Sequence, residues 1–410
     1  MSVVSNWIHA AANRQPDRVA IETPERSLTY AELREAASVR ARAIHASRVA
    51  LAAATVEEFT LDLHACLLAG AAVVPIDLRL GEAEQAERRA AADGGIDGPP
   101  DADVPVALMH TSGTTAAPKP VVLTRSNFLA SALGSAVALG LDPAERWLCP
   151  MPLTHVGGLS IPIRSAIYAT TAVLHGRFDT EAVLSDLMDP ARRITLVSLV
   201  PTMLARLLDA GLERPPALRW ALLGGGPIPP ALLERAERAR VPVAPTYGMT
   251  EACSQIATFG WPLPGVDVVI ATDGEILVRG PIVSTGALSD DGWLHTGDLG
   301  EFDERDRLVI AGRKSDTIVS GGENVAPAEV EAVLLEHPSV ADAAVHPRSN
   351  PEWGEAVVAT VVLRDGLQVA PEELRAHCAT RLAGFKVPKE IGFTEQLPRT
   401  QSGKLLRREL

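Results

Sequence analysis

The sequence predicts an α/β protein in which a large N-terminal domain of α/β subdomains and a small β subdomain is hinged to a compact α+β C-terminal domain. Predicted strands alternate with predicted helices over residues 28–141 and again over 195–247, which favours a largely parallel sheet. After Trp261 the predicted strands are short and separated by Gly, Asp and Pro, as in a small subdomain with hairpins. The length of 410 residues exceeds one ordinary hydrophobic core.

Each predicted element of the first two stretches follows from a local pattern. Thr29 is expected to cap an amphipathic helix over residues 30–46. In the first stretch the further predicted strands are 49–53, 71–76 and 104–109, the further helices are 57–68 and 127–139, and a helix within 82–100 ends in a loose loop. In the second stretch the predicted strands are 195–200, 217–223 and 242–245, and the helices are 201–210 and 230–239.

The remaining third of the chain sets the domain boundaries. The β subdomain, at about 262–312, has predicted strands at 266–270, 275–279 and 308–311. A basic, glycine-rich join follows, and the compact tail has predicted helices at 327–335 and 371–383 and strands at 341–345 and 356–363. We therefore expect an N-terminal domain over residues 1–312, a hinge over 313–316 and a C-terminal domain over 317–410.

Composition restricts the class of partner. Hydrophobic residues make up 47% and charged residues 22%, as in a globular protein, and the net charge of −13 disfavours non-specific binding to nucleic acid. The four cysteines are far apart and form no metal-ligand spacing, which suits a reducing cytosol: Cys66, Cys149, Cys253 and Cys378. The N-terminus lacks the pattern of a signal peptide, and the longest apolar run, 65–76, is too short to span a bilayer. We expect a cytoplasmic protein without a membrane span.

The segment after the predicted strand 104–109 is the richest in hydrogen-bond donors. Four hydroxyls and a glycine occupy five consecutive positions: Thr111, Ser112, Gly113, Thr114 and Thr115. Lys119 adds a mobile cation, so the loop suits a polyphosphate. It is not a Walker P-loop, because neither Ser nor Thr follows Lys119. A polar surface turn is the alternative.

Five further polar segments follow in a fixed order: 152–159, 224–227, 247–251, 293–298 with Gly312 and Arg313 after it, and 400–404. Glu251 beside Thr250 is a candidate for binding Mg²⁺, and the alternative is a pair that caps a helix. Asp298 is a candidate for the hydroxyls of a ribose, and the alternative is an ordinary turn. The glycines 224–226 leave room for a flat ring, or satisfy a loop that needs glycine dihedrals.

Together and in this order, the six segments resemble the adenylate-forming superfamily of acyl-CoA synthetases, peptide-synthetase adenylation domains and luciferases. The resemblance covers nearly the whole chain. It implies that ATP, Mg²⁺ and CoA take part: a carboxylate attacks the α-phosphorus of ATP, pyrophosphate leaves, and a thiol then displaces AMP from the acyl-adenylate. It also implies that the C-terminal domain rotates between the two half-reactions.

The resemblance also implies roles for individual residues. It assigns ATP and AMP to Thr111, Ser112, Gly113, Thr114, Thr115, Lys119, Gly224, Gly225, Gly226, Pro227, Tyr247, Gly248, Thr250, Asp298, Arg313 and Lys404. It assigns catalysis to Lys404, Thr250 and His155, the metal to Glu251, the hinge to Ser315, and CoA to Gly321, Gly322, Glu323 and Asn324. The alternatives, when each residue is taken alone, are a solvated surface charge near the C-terminus for Lys404 and a packed core histidine for His155.

The acid is suggested by three stretches, 152–161, 222–229 and 247–258, which most resemble the o-succinylbenzoate–CoA ligases of menaquinone biosynthesis. That acid carries an aromatic ring and a second carboxylate. Arg164, nine residues after His155, is a candidate for the distal carboxylate, and a surface arginine with a buried stem is the alternative. The same pocket is expected to include His155, Gly158, Ser254 and Thr258.

Other functions stay open at the level of sequence. They are a CoA ligase for another aryl or short acyl acid, a stand-alone adenylation domain that loads a carrier protein, and a non-catalytic regulator that binds AMP or ATP. The joint presence of Lys119, Thr250, Glu251, Asp298, Arg313 and Lys404 argues against the last, and two departures from the family pattern keep it open: Ala116 stands where the family usually has glycine, and the N-terminal region looks shortened. The oligomeric state also stays open, a homodimer included.

Overall fold

The computed structural model describes residues 6–93, 103–110, 120–351, 353–399 and 405–410. The helices in these ranges are α1 Trp7–Arg14, α2 Tyr30–Ala41, α3 Val56–Ala69, α4 Glu82–Asp93, α5 Arg125–Leu139, α6 Val156–Tyr168, α7 Thr180–Met188, α8 Pro201–Asp209, α9 Pro230–Arg238, α10 Pro327–Leu335 and α11 Pro371–Ala379. The strands are β1 Val19–Glu22, β2 Ser27–Thr29, β3 Arg48–Leu51, β4 Ala72–Pro75, β5 Pro105–His110, β6 Pro120–Thr124, β7 Arg146–Cys149, β8 Thr171–Leu174, β9 Leu196–Leu199, β10 Trp220–Leu223, β11 Val243–Met249, β12 Ser254–Thr258, β13 Trp261–Pro262, β14 Asp267–Ile270, β15 Glu275–Arg279, β16 Leu294–Phe302, β17 Leu308–Arg313, β18 Ile318–Ser320, β19 Glu323–Val325, β20 Val340–Asn350, β21 Gly354–Leu363 and β22 Glu390–Phe393.

The largest sheet is parallel through its middle, as the alternating pattern predicts. Its strand order is β13-β12-β11-β10-β9-β7-β8-β1-β2, and the pairs from β11 to β1 are all parallel. The outer pairs at both edges are antiparallel. The carboxyl ends of β7, β10 and β11 therefore meet at one edge, which is where ligands bind in open α/β sheets.

A second sheet of order β3-β4-β5-β6 carries the strand predicted at 104–109. Its strands β3, β4 and β5 are parallel, and β6 is antiparallel to β5 with His110 opposite Pro120. The phosphate-binding segment predicted at 111–119 connects these two residues and lies outside the described residues.

Two smaller sheets follow along the chain. The first, β14-β15-β16-β17, is the antiparallel β subdomain that the short Gly- and Asp-bounded segments predict. The second has the order β19-β18-β21-β20, with β22 parallel to β21, and packs with α10 and α11 around a hydrophobic cluster of its own. The predicted α+β character of the tail is confirmed.

Local capping explains where several helices begin. Thr29 accepts a hydrogen bond from the backbone N–H of Glu32, and the Glu32 carboxylate accepts one from the N–H of Thr29, so a capping box starts α2. The helix is shorter than the predicted 30–46, because the N–H of Ile44 bonds the carbonyl of Ala41, three residues back, and the chain leaves the helix there. No helix among the described residues combines the length and apolar character needed to cross a bilayer.

Candidate active site

The candidate residues gather beyond the carboxyl ends of the parallel strands. His155 follows β7, the glycines 224–226 follow β10, and Tyr247 lies near the end of β11. Because β7, β9, β10 and β11 run in parallel, these three segments reach the same edge of the sheet. The β subdomain contributes Asp298 from β16 and Arg313 from β17 to this region.

Tyr247, Asp298 and Arg313 form one hydrogen-bonded group. The Oη atom of Tyr247 donates to Oδ2 of Asp298 at 2.8 Å, and Nε of Arg313 lies 3.0 Å from Oδ1. Asp298 and Arg313 are direct partners in the antiparallel ladder, so strand pairing brings the two side chains together. Burial and the neighbouring Asp298 charge raise the pKa of Tyr247 above its ordinary value, so the phenol stays a donor. Asp298 therefore lies in a strand with both oxygens engaged, and the alternative of an ordinary turn is wrong.

Two glycines permit close backbone approaches beside this group. A Cβ atom on Gly248 would lie 1.6 Å from the carbonyl oxygen of Ser254, at a bulge between β11 and β12. A Cβ on Gly224 would lie 2.8 Å from the carbonyl oxygen of Thr246. Gly226 has nothing within 4 Å of such a Cβ, and Gly225 and Pro227 are exposed beside it. The segment 224–227 therefore offers an open, side-chain-poor surface next to Tyr247.

Thr250 and Glu251 lie in a short 3₁₀ turn, Thr250–Ala252, between β11 and β12. No α-helix begins here, so the alternative of a helix-capping pair is wrong. Cys253 and Ser254 follow with φ of +49° and +94°, two consecutive non-glycine residues with positive φ. Such strain persists only where the surroundings enforce it, and it clusters at functional sites.

Glu251 is the candidate metal ligand. Its carbonyl accepts a hydrogen bond from the backbone N–H of Ser284 at 2.8 Å, and Ser284 Oγ donates to the carbonyl of Val122 in β6. The described residues contain no cluster of three or more groups able to ligate a metal. A single carboxylate beside a hydroxyl nevertheless fits Mg²⁺, which keeps several waters and takes its other ligands from substrate phosphates.

His155 lies at the start of α6 and is exposed, so the alternative of a packed core histidine is wrong. Its side chain makes no capping hydrogen bond, and desolvation by the surrounding protein lowers its pKa. The helix begins tightly beneath it, because a Cβ on Gly158 would lie 2.3 Å from the carbonyl oxygen of Pro152. His155 is thus a neutral side chain at neutral pH, free to contact a ligand.

Arg164, the candidate for the distal carboxylate, lies on α6. It is only 1% exposed, so the alternative of a surface arginine is wrong. Its Nη2 atom donates to Ser131 Oγ at 2.8 Å, and its guanidinium lies 5.7 Å from the Trp147 ring. No carboxylate pairs with it among the described residues, and its Nε has no partner there. Burial lowers the pKa of Arg164, yet an arginine this basic remains charged.

Ser254 and Thr258 both lie on β12, but in different surroundings. Ser254 is partly exposed, whereas Thr258 is buried, accepts a hydrogen bond from Gln255 Nε2 at 2.9 Å and lies 3.2 Å from Thr246 Oγ1. The hydroxyl of Thr258 is therefore already engaged within the sheet.

The predicted CoA segment forms a hairpin between β18 and β19. Gly321 and Gly322 have φ of +61° and +86°, as a two-residue turn with two left-handed positions requires, and Glu323 and Asn324 are exposed. The N–H of Gly321 donates to the carbonyl of Trp353 at 2.8 Å. The Trp353 ring lies beside the turn, because a Cβ on Gly321 would be 3.0 Å from its Cε3 atom. Sequence reasoning missed Trp353, because only the fold brings it there.

Some predicted site residues lie outside the described residues. They are Thr111, Ser112, Gly113, Thr114, Thr115, Lys119 and Lys404. On either side of the segment that contains Lys404, Arg399 and Leu405 form an antiparallel bridge, and Nη2 of Arg399 lies 2.8 Å from both carboxylate oxygens of Asp342.

Comparison with known families gives the class. The model of the AMP-binding enzyme family matches residues 8–93 and 84–288, and that of the AMP-binding enzyme C-terminal domain matches residues 329–404. The chain therefore belongs to the AMP-binding, adenylate-forming enzyme family.

Individual relatives point to one branch of the family. The chain is 37% identical to the 2-succinylbenzoate–CoA ligase of Bacillus licheniformis over 99% of both sequences. It superposes on o-succinylbenzoate CoA synthetase of Bacillus subtilis in complex with the acyl-adenylate OSB-AMP, with a TM-score of 0.87, 34% identity and coverage of 98% of this chain and 97% of the other. The same B. subtilis enzyme with ATP and magnesium ion gives a TM-score of 0.86 at 34% identity and 99% coverage of both chains. The B. licheniformis alignment spans 476 positions, so that relative has residues with no counterpart among the 410 of this chain.

Proposed function

We propose that this chain is an AMP-forming acid–CoA ligase whose substrate is o-succinylbenzoate. The single observation that carries the choice of acid is Arg164, a buried arginine without a carboxylate partner among the described residues. An unpaired buried charge is costly, so a ligand that supplies the missing carboxylate gains affinity at this position. The similarity to 2-succinylbenzoate–CoA ligases supports the same assignment.

In the proposed first half-reaction, the protein mainly positions two anions. The ribose binds at Asp298 and Arg313, and the adenine lies along residues 224–227 beside Tyr247. The loop that contains Lys119 binds the β- and γ-phosphates. The acyl carboxylate then attacks the α-phosphorus and pyrophosphate leaves, while Lys404 neutralises the charge that grows between the two anions.

Mg²⁺ would be held by Glu251 and would supply charge neutralisation on the phosphates. The adjacent hydroxyl of Thr250 is placed to donate to the α-phosphate. The strained residues Cys253 and Ser254 follow directly and set the direction in which the chain leaves this turn.

In the proposed second half-reaction, the C-terminal domain of residues 317–410 rotates about Ser315 and presents the hairpin at Gly321 and Gly322 to the site. The CoA thiol attacks the acyl carbon, the acyl–phosphate bond breaks and AMP leaves with the electron pair. Neutral His155 borders the acyl group and is available to accept the thiol proton. Trp353 offers an aromatic surface beside the hairpin for the pantetheine or adenine part of CoA.

We also propose a cytoplasmic location, which the four buried, unpaired cysteines support.

The proposal is tested by ATP–pyrophosphate exchange with a panel of acids. We expect exchange with o-succinylbenzoate and much weaker exchange with benzoate and medium-chain fatty acids. ATP binding without exchange for any acid would favour the regulatory alternative. Lys404→Ala should abolish this exchange, yet a separate assay that supplies preformed adenylate and CoA should still show thioester formation. Equal loss of both half-reactions would contradict the role of Lys404.

A further inference from the structure

Lys314 and Asp316, two residues of the predicted hinge, form ion pairs with different parts of the chain. Nζ of Lys314 lies 2.6 Å from Oδ2 of Asp273 and 3.1 Å from Oε2 of Glu275, both next to or within β15 of the β subdomain. Oδ2 of Asp316 lies 3.4 Å from Nε of Arg407, near the C-terminus. The residue before Ser315 is therefore paired with the β subdomain, and the residue after it is paired with the C-terminal unit. Ser315 itself is exposed.

The Lys314 attachment leads directly to the nucleotide site. Glu275 is buried, and its Oε1 accepts a hydrogen bond from the backbone N–H of Gly297 at 2.9 Å. Gly297 precedes Asp298, and Arg313 precedes Lys314. The N-terminal side of Ser315 is thus fixed to the strand that carries the ribose-binding carboxylate.

The Asp316 attachment leads into the core of the C-terminal sheet. Nη2 of Arg407 lies 2.9 Å from Oε1 of Glu331 in α10, and that carboxylate accepts a hydrogen bond from the N–H of Val345 in β20 at 2.7 Å. Arg407 thereby links the residue after Ser315 to the helix and strand on which the C-terminal unit is built. It also stands three residues after Lys404.

We propose that Lys314 and Arg407 are positioning residues that confine the rotation of the C-terminal domain to Ser315. This inference rests on the proposed function. Each attachment lies on its own side of Ser315, so both persist in either orientation of the domain. A rotation confined to one residue allows fewer orientations than one spread over 313–317, and each reactive group spends more time in alignment.

The test uses Lys314→Met and Asp316→Asn. The second breaks the contact with Arg407 and leaves the buried pair of Arg407 with Glu331 intact. Arg279→Met is the matched control. It removes the exposed ion pair between Arg279 and Asp267 in the same β subdomain, and this pair does not contact the hinge. Single-turnover rates are measured for adenylation and for thioester formation, together with the KM for ATP and the Tm.

We expect both half-reactions to slow by about two- to fivefold in the two hinge variants, with the KM for ATP and the Tm unchanged. Arg279→Met should match the wild type. Amide hydrogen exchange of residues 313–317 should be faster in both hinge variants than in the control. Unchanged rates and exchange, or a rise in the KM for ATP in place of slower turnover, would overturn the inference. If the wild type activates no acid, the proposed function fails, and amide exchange alone decides this inference.

Discussion

The Oη atom of Tyr247 donates a 2.8 Å hydrogen bond to Oδ2 of Asp298, although the two residues lie 51 positions apart on different sheets. The other carboxylate oxygen of Asp298 is paired with Arg313. Asp298 therefore joins the largest sheet, the β subdomain and the start of the proposed hinge at one carboxylate. A nucleotide that replaces one of these contacts would therefore change the connection among all three parts.

Asp298→Asn should raise the KM for ATP by about 10- to 100-fold, because it removes the charge-assisted hydrogen bonds to the ribose and to Arg313. Steady-state kinetics with ATP varied would measure the effect. Asp267→Asn is the control, since that carboxylate pairs with Arg279 on the exposed surface of the same subdomain. An equal KM in both variants would show that Asp298 does not bind the nucleotide.

Arg164→Met should raise the KM for o-succinylbenzoate by about 10- to 100-fold, because the distal carboxylate loses its cation. Thermal unfolding should be unchanged or shifted to higher temperature, since a buried charge without a carboxylate partner among the described residues is removed. Any residual activity with benzoate, which has no second carboxylate, serves as the internal control. A large fall in Tm with an unchanged KM would identify Arg164 as purely structural.

Gly248→Ala should destabilise the fold by about 3 kcal/mol or more, because the new Cβ would lie 1.6 Å from the Ser254 carbonyl oxygen. Gly226→Ala is the matched control for stability: its Cβ meets nothing within 4 Å, and its φ is not positive. Urea unfolding would compare the two. Similar free energies of unfolding would show that the bulge between β11 and β12 relaxes easily.

We expect the free energy of unfolding to depend on pH through the buried side chain of His64. Its ring is fully buried in α3 without a hydrogen-bond partner among the described residues, and burial lowers its pKa to about 4. The unfolded state has the ordinary value near 6.5, so it binds a proton first as the pH falls. The contribution of neutral His64 is therefore complete above about pH 6.5 and decreases by about 1.4 kcal/mol per pH unit toward pH 4.

His64→Leu should reduce the loss of unfolding free energy between pH 6.5 and pH 4, because leucine does not titrate. Free energies of unfolding in urea at pH 7 and pH 5 would measure the difference between the two proteins. The gap between wild type and variant should shift in favour of the variant at pH 5. Equal slopes in both proteins would contradict a neutral, buried His64.

The sequence predicts the elements that carry their own local signals. Helix α10 begins at Pro327 and ends at Leu335 as predicted, because proline suits the first helical position and the apolar spacing is regular. The strand Leu294–Phe302 was missed, since its polar alternation contains two glycines and resembles loop sequence. The short strands β7 and β8 were also missed: each has four residues, three of them apolar in a row, and so short a run carries no periodicity that separates strand from helix.

The candidate site divides in the same way. Tyr247, Asp298 and Arg313 are found from motifs, and their mutual contacts follow from strand register. The link between Arg164 and Ser131, and that between Asp316 and Arg407, join residues far apart in sequence and leave no local pattern. Such pairings depend on tertiary packing, which a single sequence does not encode in any short window.

We propose that the buried Arg164 selects an acid with a second carboxylate. The most direct test is CoA-dependent AMP release with o-succinylbenzoate, benzoate and a medium-chain fatty acid, for the wild type and Arg164→Met. We expect a strong preference of the wild type for o-succinylbenzoate, and loss of that preference in the variant. A wild-type preference for the monocarboxylates, or a preference that survives the substitution, would contradict it.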